Sequence, residues 1–249
     1  MQLCGRLAVV VDGERVEGRL PGRQGRLLFA YLALNRRRVL TRDELVEAVW
    51  PEGRDGGLAP LLSKLRRVVP MNGTTLALPE EAWVDVEAAT DAVHRAESSV
   101  AQGDFRRAWG PSQVALFVAA RPLLPGEDAF WLEEERRRLG ELHLRALEAY
   151  GAAALGIGST ERPAAVRAGR ELTRLEPYRE SGWRLLMEGL AAEGNAACGR
   201  DPCWPWPPLL PPRQGGRLSV VGRTASSPSM HRRGVFIISV RSEWHQMVP

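Results

Sequence analysis

The stretch Leu27–Val69, LLFAYLALNRRRVLTRDELVEAVWPEGRDGGLAPLLSKLRRVV, reads as three short amphipathic helices with two arginine-bearing connections. Leu27, Leu28, Tyr31, Leu32 and Leu34 recur at helical spacing in the first. Thr41 opens the second with a capping box. Its hydroxyl can accept a free N–H of the first turn, and Glu44, three residues on, can accept the Thr41 N–H. That helix buries Leu45, Val46, Val49 and Trp50 and stops at Pro51. After a Gly/Asp-rich turn (Glu52–Gly57), a third helix gathers Leu58, Leu61, Leu62, Leu65, Val68 and Val69 on one face and Ser63, Lys64, Arg66 and Arg67 on the other. A basic helix that follows a short turn and packs on two others is the helix-turn-helix arrangement, which lays its second helix in a DNA major groove.

The plain alternative is that the arginines form an ordinary solvated face. Two features favour the DNA reading. Flanking segments are β-patterned, which completes a winged-helix outline. The charge is also partitioned: residues 1–70 carry 13 Lys/Arg against 8 Asp/Glu, residues 71–194 carry 14 against 20, and residues 195–249 carry 7 against 2. The first block suits an anionic polymer, and the second resembles an acidic helical module. Lys64 is the only lysine in the chain.

Outward from this core, residues 2–20 read as short strands. Leu7, Val9 and Val11 alternate, Asp12-Gly13 is a hairpin turn signal, and Arg15–Leu20 returns. Arg37–Leu40 is expected as a short strand between the first two helices. Asn72-Gly73 and the run to Leu78 predict a β-hairpin wing that lacks basic residues and so adds little affinity. From about Asp85 the texture becomes Ala-, Leu- and Arg-rich. It predicts helices over Val86–Gln102, Asp104–Val118, Phe130–Leu155, Arg162–Leu175 and Arg179–Glu193, with a turn at Gly103, a loop over Arg121–Asp128 and an interruption at Gly156–Gly158. Paired helices with short turns point to a tetratricopeptide-like array, an ordinary helical bundle being the alternative. The fold class is therefore mainly α with small β: a winged helix-turn-helix over 1–80 and a helical domain over 84–194.

At Asn195 the chain changes character, with dense proline, Cys198 and Cys203, and no helical period. Pro207–Pro212 has the composition of a polyproline ligand. Cys198, Cys203, His231 and His245 are metal-ligating types at loose spacing. An out-of-frame translation explains this tail more simply. A coding run for Ala-Leu-Arg-Ala that lost one base reads Ala-Cys-Gly-Arg, the text at Ala197–Arg200. Residues 195–249 are accordingly expected to carry no evolved function, and an intact reading frame on resequencing would sink that expectation.

No catalytic constellation is present: no GxxxxGK[ST], no HExxH and no GxSxG. Gly156-Ile157-Gly158 follows a helix rather than a strand. Glu133–Glu135 beside Arg136–Arg138 reads as pairing along one helix. The tryptophans fall at apolar positions or element ends, where packing is the plain role. With 44% apolar residues the chain can build real cores, and three cysteines make no disulfide framework. No apolar run reaches the roughly 18 residues a membrane span needs. The cytoplasm is the expected compartment, and no enzyme activity is expected.

GRQGRLLFAYLALNRRRVLTRDELVEAVWPE followed by LLSKLRRVV resembles the winged-helix domain of the SARP-type (antibiotic regulatory protein) transcriptional activators. DVEAATDAVHRAESSVAQGDFRRAW and PYRESGWRLLMEGLAAEGN resemble the bacterial transcriptional activator domain that follows it. The likeness spans about residues 3–196. It implies binding of double-stranded DNA at promoter direct repeats, recruitment of RNA polymerase, self-association on tandem repeats, and no cofactor. It also implies that Ser63, Lys64, Arg66 and Arg67 face DNA, that Arg42 and Arg54 touch phosphate or the polymerase, and that Arg36, Arg37 and Arg38 face phosphate. PEGRDGGLAP is short for the family, and Pro60 must fall in the first turn of its helix. The family's domain continues beyond the position of Gly194-Asn195, so the face carrying Leu185, Leu186 and Leu190 is expected to be partly uncovered. A scaffold that binds protein partners through its helical domain, without specific DNA binding, is the competing function.

Overall fold

The computed structural model describes residues 1–51, 57–71, 78–79 and 81–194, all within one compact unit. Residues 52–56, expected as a turn, residues 72–77, expected as the hairpin wing, and the tail from 195 lie outside the described residues. The chain begins with a minimal hairpin, β1 (Val10–Val11) against β2 (Glu14–Arg15), with Val10 opposite Arg15 and Asp12-Gly13 at the turn as expected. Helices α1 (Gly22–Leu34), α2 (Arg42–Val49) and α3 (Leu58–Arg66) follow. Then come α4 (Asp85–Ala101), α5 (Phe105–Ala119), α6 (Phe130–Ile157), α7 (Arg162–Leu175) and α8 (Glu180–Ala192). The architecture is an N-terminal winged helix followed by a tetratricopeptide-like helical domain.

The local chemistry at each boundary is visible. Thr41 caps α2: the Glu44 N–H donates to its hydroxyl at 3.3 Å, and its own N–H donates to the Glu44 carboxylate at 2.7 Å. Gly57 caps α3 at φ +100°, a left-handed conformation costly for any residue with a Cβ. Pro60 then falls in the first turn, where its missing N–H breaks no helical bond. No strand forms over 37–40: the chain turns over 35–37, bends at Arg38 and is irregular over 39–40. The Arg38 N–H bonds back to the Asn35 carbonyl at 3.1 Å, which folds the backbone over before it can extend.

Within the helical domain each helix packs on the next, and α6, about 42 Å long at 1.5 Å per residue, also meets α4 and α8. Trp109 stacks on Tyr150 with centroids 4.7 Å apart. Arg145 of α6 grips Glu97 of α4 through two bonds of 2.7 and 2.6 Å. Leu185, Leu186 and Leu190 are buried, contrary to the expected uncovered face. Leu185 sits over Gly151, Leu186 over Gly169, and Leu190 clusters with Val166. Met187 is the large exposed apolar residue of α8.

The two halves share a core. Leu28, Phe29 and Leu32 of α1 belong to the same buried cluster as Val93 of α4 and Leu132 and Leu139 of α6. Trp131 at the head of α6 donates to the Ala48 carbonyl at 3.1 Å and meets the Tyr31 ring edge-on at 5.2 Å. Asp85, 1% exposed, holds the N-terminal segment. Its carboxylate accepts from the N–H groups of Leu3 (2.9 and 3.0 Å), Cys4 (2.9 Å) and Val86 (2.9 Å). The same segment bridges to Leu123 and exchanges backbone bonds with Pro122 and Leu124 in the α5–α6 loop. Burial, with Asp85 alongside, pushes the Cys4 thiol up to about 12, so this cysteine is a core residue and an unreactive one.

Candidate nucleic-acid interface

Helix α3 is anchored by Leu58, Leu62, Leu65 and Val69, all buried, with Leu61 and Val68 half-buried beside them. That spacing leaves one face outward. Ala59, Pro60, Ser63, Lys64, Arg66 and Arg67 are all exposed along it. Lys64, Arg66 and Arg67 make no ion pair among the described residues, so their charge is available to a ligand. Lys64 and Arg66 occupy the last turn, where the helix dipole favours cations in any case. The dipole accounts for their tolerance there but not for a helix with every basic residue on one solvent face.

The arginines of the α1–α2 connection behave differently. Arg36 was expected to face phosphate, and the structure corrects this. Its side chain is 8% exposed and makes a two-pronged contact with Glu87 of α4, at 2.7 and 2.5 Å, plus a bond to the Pro79 carbonyl. Arg37 also contacts Glu87, at 3.0 Å, but stays largely exposed. These guanidiniums, Arg36 foremost, hold the Glu87 carboxyl below its ordinary range. Arg38 is half-exposed and bonds the Glu44 carboxylate, the Asn35 side chain and the Tyr31 hydroxyl. Arg42, first residue of α2, is exposed. Arg54 lies outside the described residues. The fold therefore assembles Ser63, Lys64, Arg66 and Arg67 on one surface, and it turns Arg36 toward the helical domain.

Glu44 reports on this capping network. Its carboxyl is lowered from about 4.5 to about 2, first by the Thr41 N–H, then by the Arg38 guanidinium and the Thr41 hydroxyl. A carboxyl depressed in the folded state contributes stability above its unfolded pKa and loses it as pH falls through the folded value. The cap is therefore intact at neutral pH and fails between about 4.5 and about 2. In Arg38→Gln the Glu44 midpoint, followed by carboxyl-carbon NMR, is expected to rise toward 4.5. A wild-type midpoint already near that value would refute the network.

Several residues that organise this region escaped the sequence reading. Arg23 and Arg26 of α1 pair with Glu127 at 3.4 and 2.6 Å. Arg136 does not join the expected helix-surface pairing. It donates to the carbonyls of Leu123, Leu124 and Glu127 and so ties down the α5–α6 loop. Arg137 and Arg138 do pair with Glu134 and Glu135 as expected. Trp83 is 60% exposed rather than packed. No local pattern marks such partners, because they lie far away in sequence.

Among the described residues no helix is long and apolar enough to cross a membrane. Residues 84–198 match the bacterial transcriptional activator domain family. The regulatory protein AfsR of Streptomyces coelicolor is 29% identical over 197 residues, which is 75% of this chain and 19% of AfsR. The structure of Mycobacterium tuberculosis EmbR, solved in complex with a low-affinity phosphopeptide, superposes with a TM-score of 0.66 at 24% identity. The match covers 79% of this chain and 55% of that one. The chain thus spans about a fifth of the length of the curated relative it matches.

Proposed function

We propose that the chain is a SARP-type transcriptional activator, which binds promoter DNA sequence-specifically through α3 and activates transcription through the helical domain. The observation that carries this reading is the exposed face of α3, with Ser63, Lys64, Arg66 and Arg67 aligned above a buried leucine seam. Residues 1–80 form the DNA-binding part, and residues 84–194 the part that meets RNA polymerase. Binding to direct repeats brings two copies side by side on DNA. The chain acts in the cytoplasm, without catalysis. Affinity comes mainly from contacts between basic side chains and phosphates, each of which displaces counterions and so makes binding weaken with salt.

Selection from a random duplex pool with the full-length chain, followed by a salt titration, tests the proposal. An enriched tandem motif with a steep negative salt slope is the expected result. In the Arg66→Ala/Arg67→Ala double variant the slope should flatten by about 2, roughly one unit per lost phosphate contact. An unchanged slope would remove α3 from the interface.

The competing scaffold reading draws on one observation. Trp83 and Val114 line a common groove at the base of α4 and α5, and Phe117, one turn beyond Val114, is 71% exposed. Salt-insensitive partner binding without DNA affinity would favour it.

A further inference from the structure

We propose that the first turn of α3 reads thymine, the hydrocarbon surface of Ala59 and Pro60 lying against the base's C5-methyl group in the major groove. This inference rests on the DNA-binding reading above and assigns the base that the site selects.

The outward face of α3 advances in three steps, one helical turn of about 5.4 Å apart. Ala59 and Pro60 come first, Ser63 and Lys64 next, and Arg66 and Arg67 last, every one of them exposed. The chemistry changes at each step, from two hydrocarbon surfaces to a hydroxyl with an ammonium and then to two guanidiniums. In a helix-turn-helix the N-terminal residues of the second helix meet the base edges. That docking carries the hydrocarbon deepest and leaves the guanidiniums near the phosphates, where basic side chains position a protein without reading sequence.

The side chains of the first turn offer phosphate nothing. Ala59 and Pro60 have no polar side-chain atom, Pro60 has no N–H, and the N-cap is Gly57, which supplies no capping oxygen. Their side chains cannot donate to the guanine or adenine acceptors either. Of the four bases, thymine alone presents a methyl group in the major groove, and apolar contact is how that methyl is recognised. Setting Ala59 and Pro60 against any other base edge would desolvate hydrogen-bonding atoms and give nothing in return. Their exposure on a helix whose other apolar residues all turn inward is accounted for if this turn meets a methyl group.

The test uses the operator enriched by the full-length chain. Each thymine is replaced singly by uracil, which deletes the methyl group and keeps every hydrogen-bonding atom. At one thymine per half-site the wild type is expected to lose about fourfold in affinity, the worth of one buried methyl-sized group. Ala59→Gly should bring that thymine-to-uracil ratio close to one. Pro60→Ser, which the first turn of a helix accepts, should shrink it as well. Arg67→Ala should weaken both operators equally and leave the ratio intact. Because the ratio is taken within one protein, partial loss of folded material does not alter it. If every uracil operator binds the wild type as tightly as its parent, or if neither Ala59→Gly nor Pro60→Ser changes the ratio, the inference is overturned while DNA binding stands. Enrichment of no operator overturns the DNA reading and this inference with it.

Discussion

Replacing Asp85 by alanine is expected to lower the unfolding free energy by about 3–5 kcal/mol and the melting temperature by roughly 10 °C. The carboxylate is 1% exposed and accepts from the N–H groups of Leu3, Cys4 and Val86. Alanine leaves all three donors without their acceptor. Each orphaned buried donor costs about 1–3 kcal/mol, less whatever a water entering the gap restores. Asp85→Asn keeps one acceptor oxygen and should fall between the two. The damage should also be local before it is global. In hydrogen exchange the Leu3 and Cys4 amides should lose protection ahead of the amides of α6, because the N-terminal segment is held by Asp85 and by its backbone bonds to Pro122 and Leu124. A loss under about 1 kcal/mol in urea titration would mean that these bonds are replaced at little cost and that Asp85 does not clasp the two halves.

Gly169→Val is expected to cost about 3 kcal/mol or more, concentrated in α7 and α8. A Cβ built at Gly169 would stand 2.7 Å from both the Cα and the N of Leu186. Those are backbone atoms and cannot swing aside as a side-chain tip could, so the added volume must push the helices apart. Doing so would open the seam that buries Val166, Leu186 and Leu190. Gly140→Ala, in α6, is the matching control. Nothing lies within 4 Å of the added methyl there, and exchanging an exposed helical glycine for alanine should stabilise the fold by about 0.5–1 kcal/mol. Equal thermal midpoints for the two variants would contradict the close approach of α7 and α8.

Both effects depend on partners that lie far apart along the chain, and that is where the sequence stops being informative. The elements themselves were legible because their signals are local. Thr41 and Glu44 are three residues apart, and the capping box they predict is present. The leucines of α3 recur at the helical period, so the inward and outward faces followed directly, Ser63, Lys64, Arg66 and Arg67 included. Helix α7 runs over Arg162–Leu175, the bounds expected from the sequence. The basic outward face of α3 was therefore legible in the sequence.

Tertiary structure decided which charges remain on the surface. Arg36, Arg37 and Arg38 are identical in the sequence, yet Arg36 is withdrawn to Glu87, 51 residues away, and Arg38 serves the cap of α2. The run Glu133–Arg138 looked like self-contained pairing, but Arg136 leaves it to satisfy three loop carbonyls. The strand expected at 37–40 did not form, because strand formation needs a partner and the nearest bond available was to Asn35. Helical periods and caps are short-range properties that a window of sequence contains. An ion pair or a buried clasp such as Asp85 exists only once packing has brought distant segments within about 3 Å of each other, and only the folded chain specifies that.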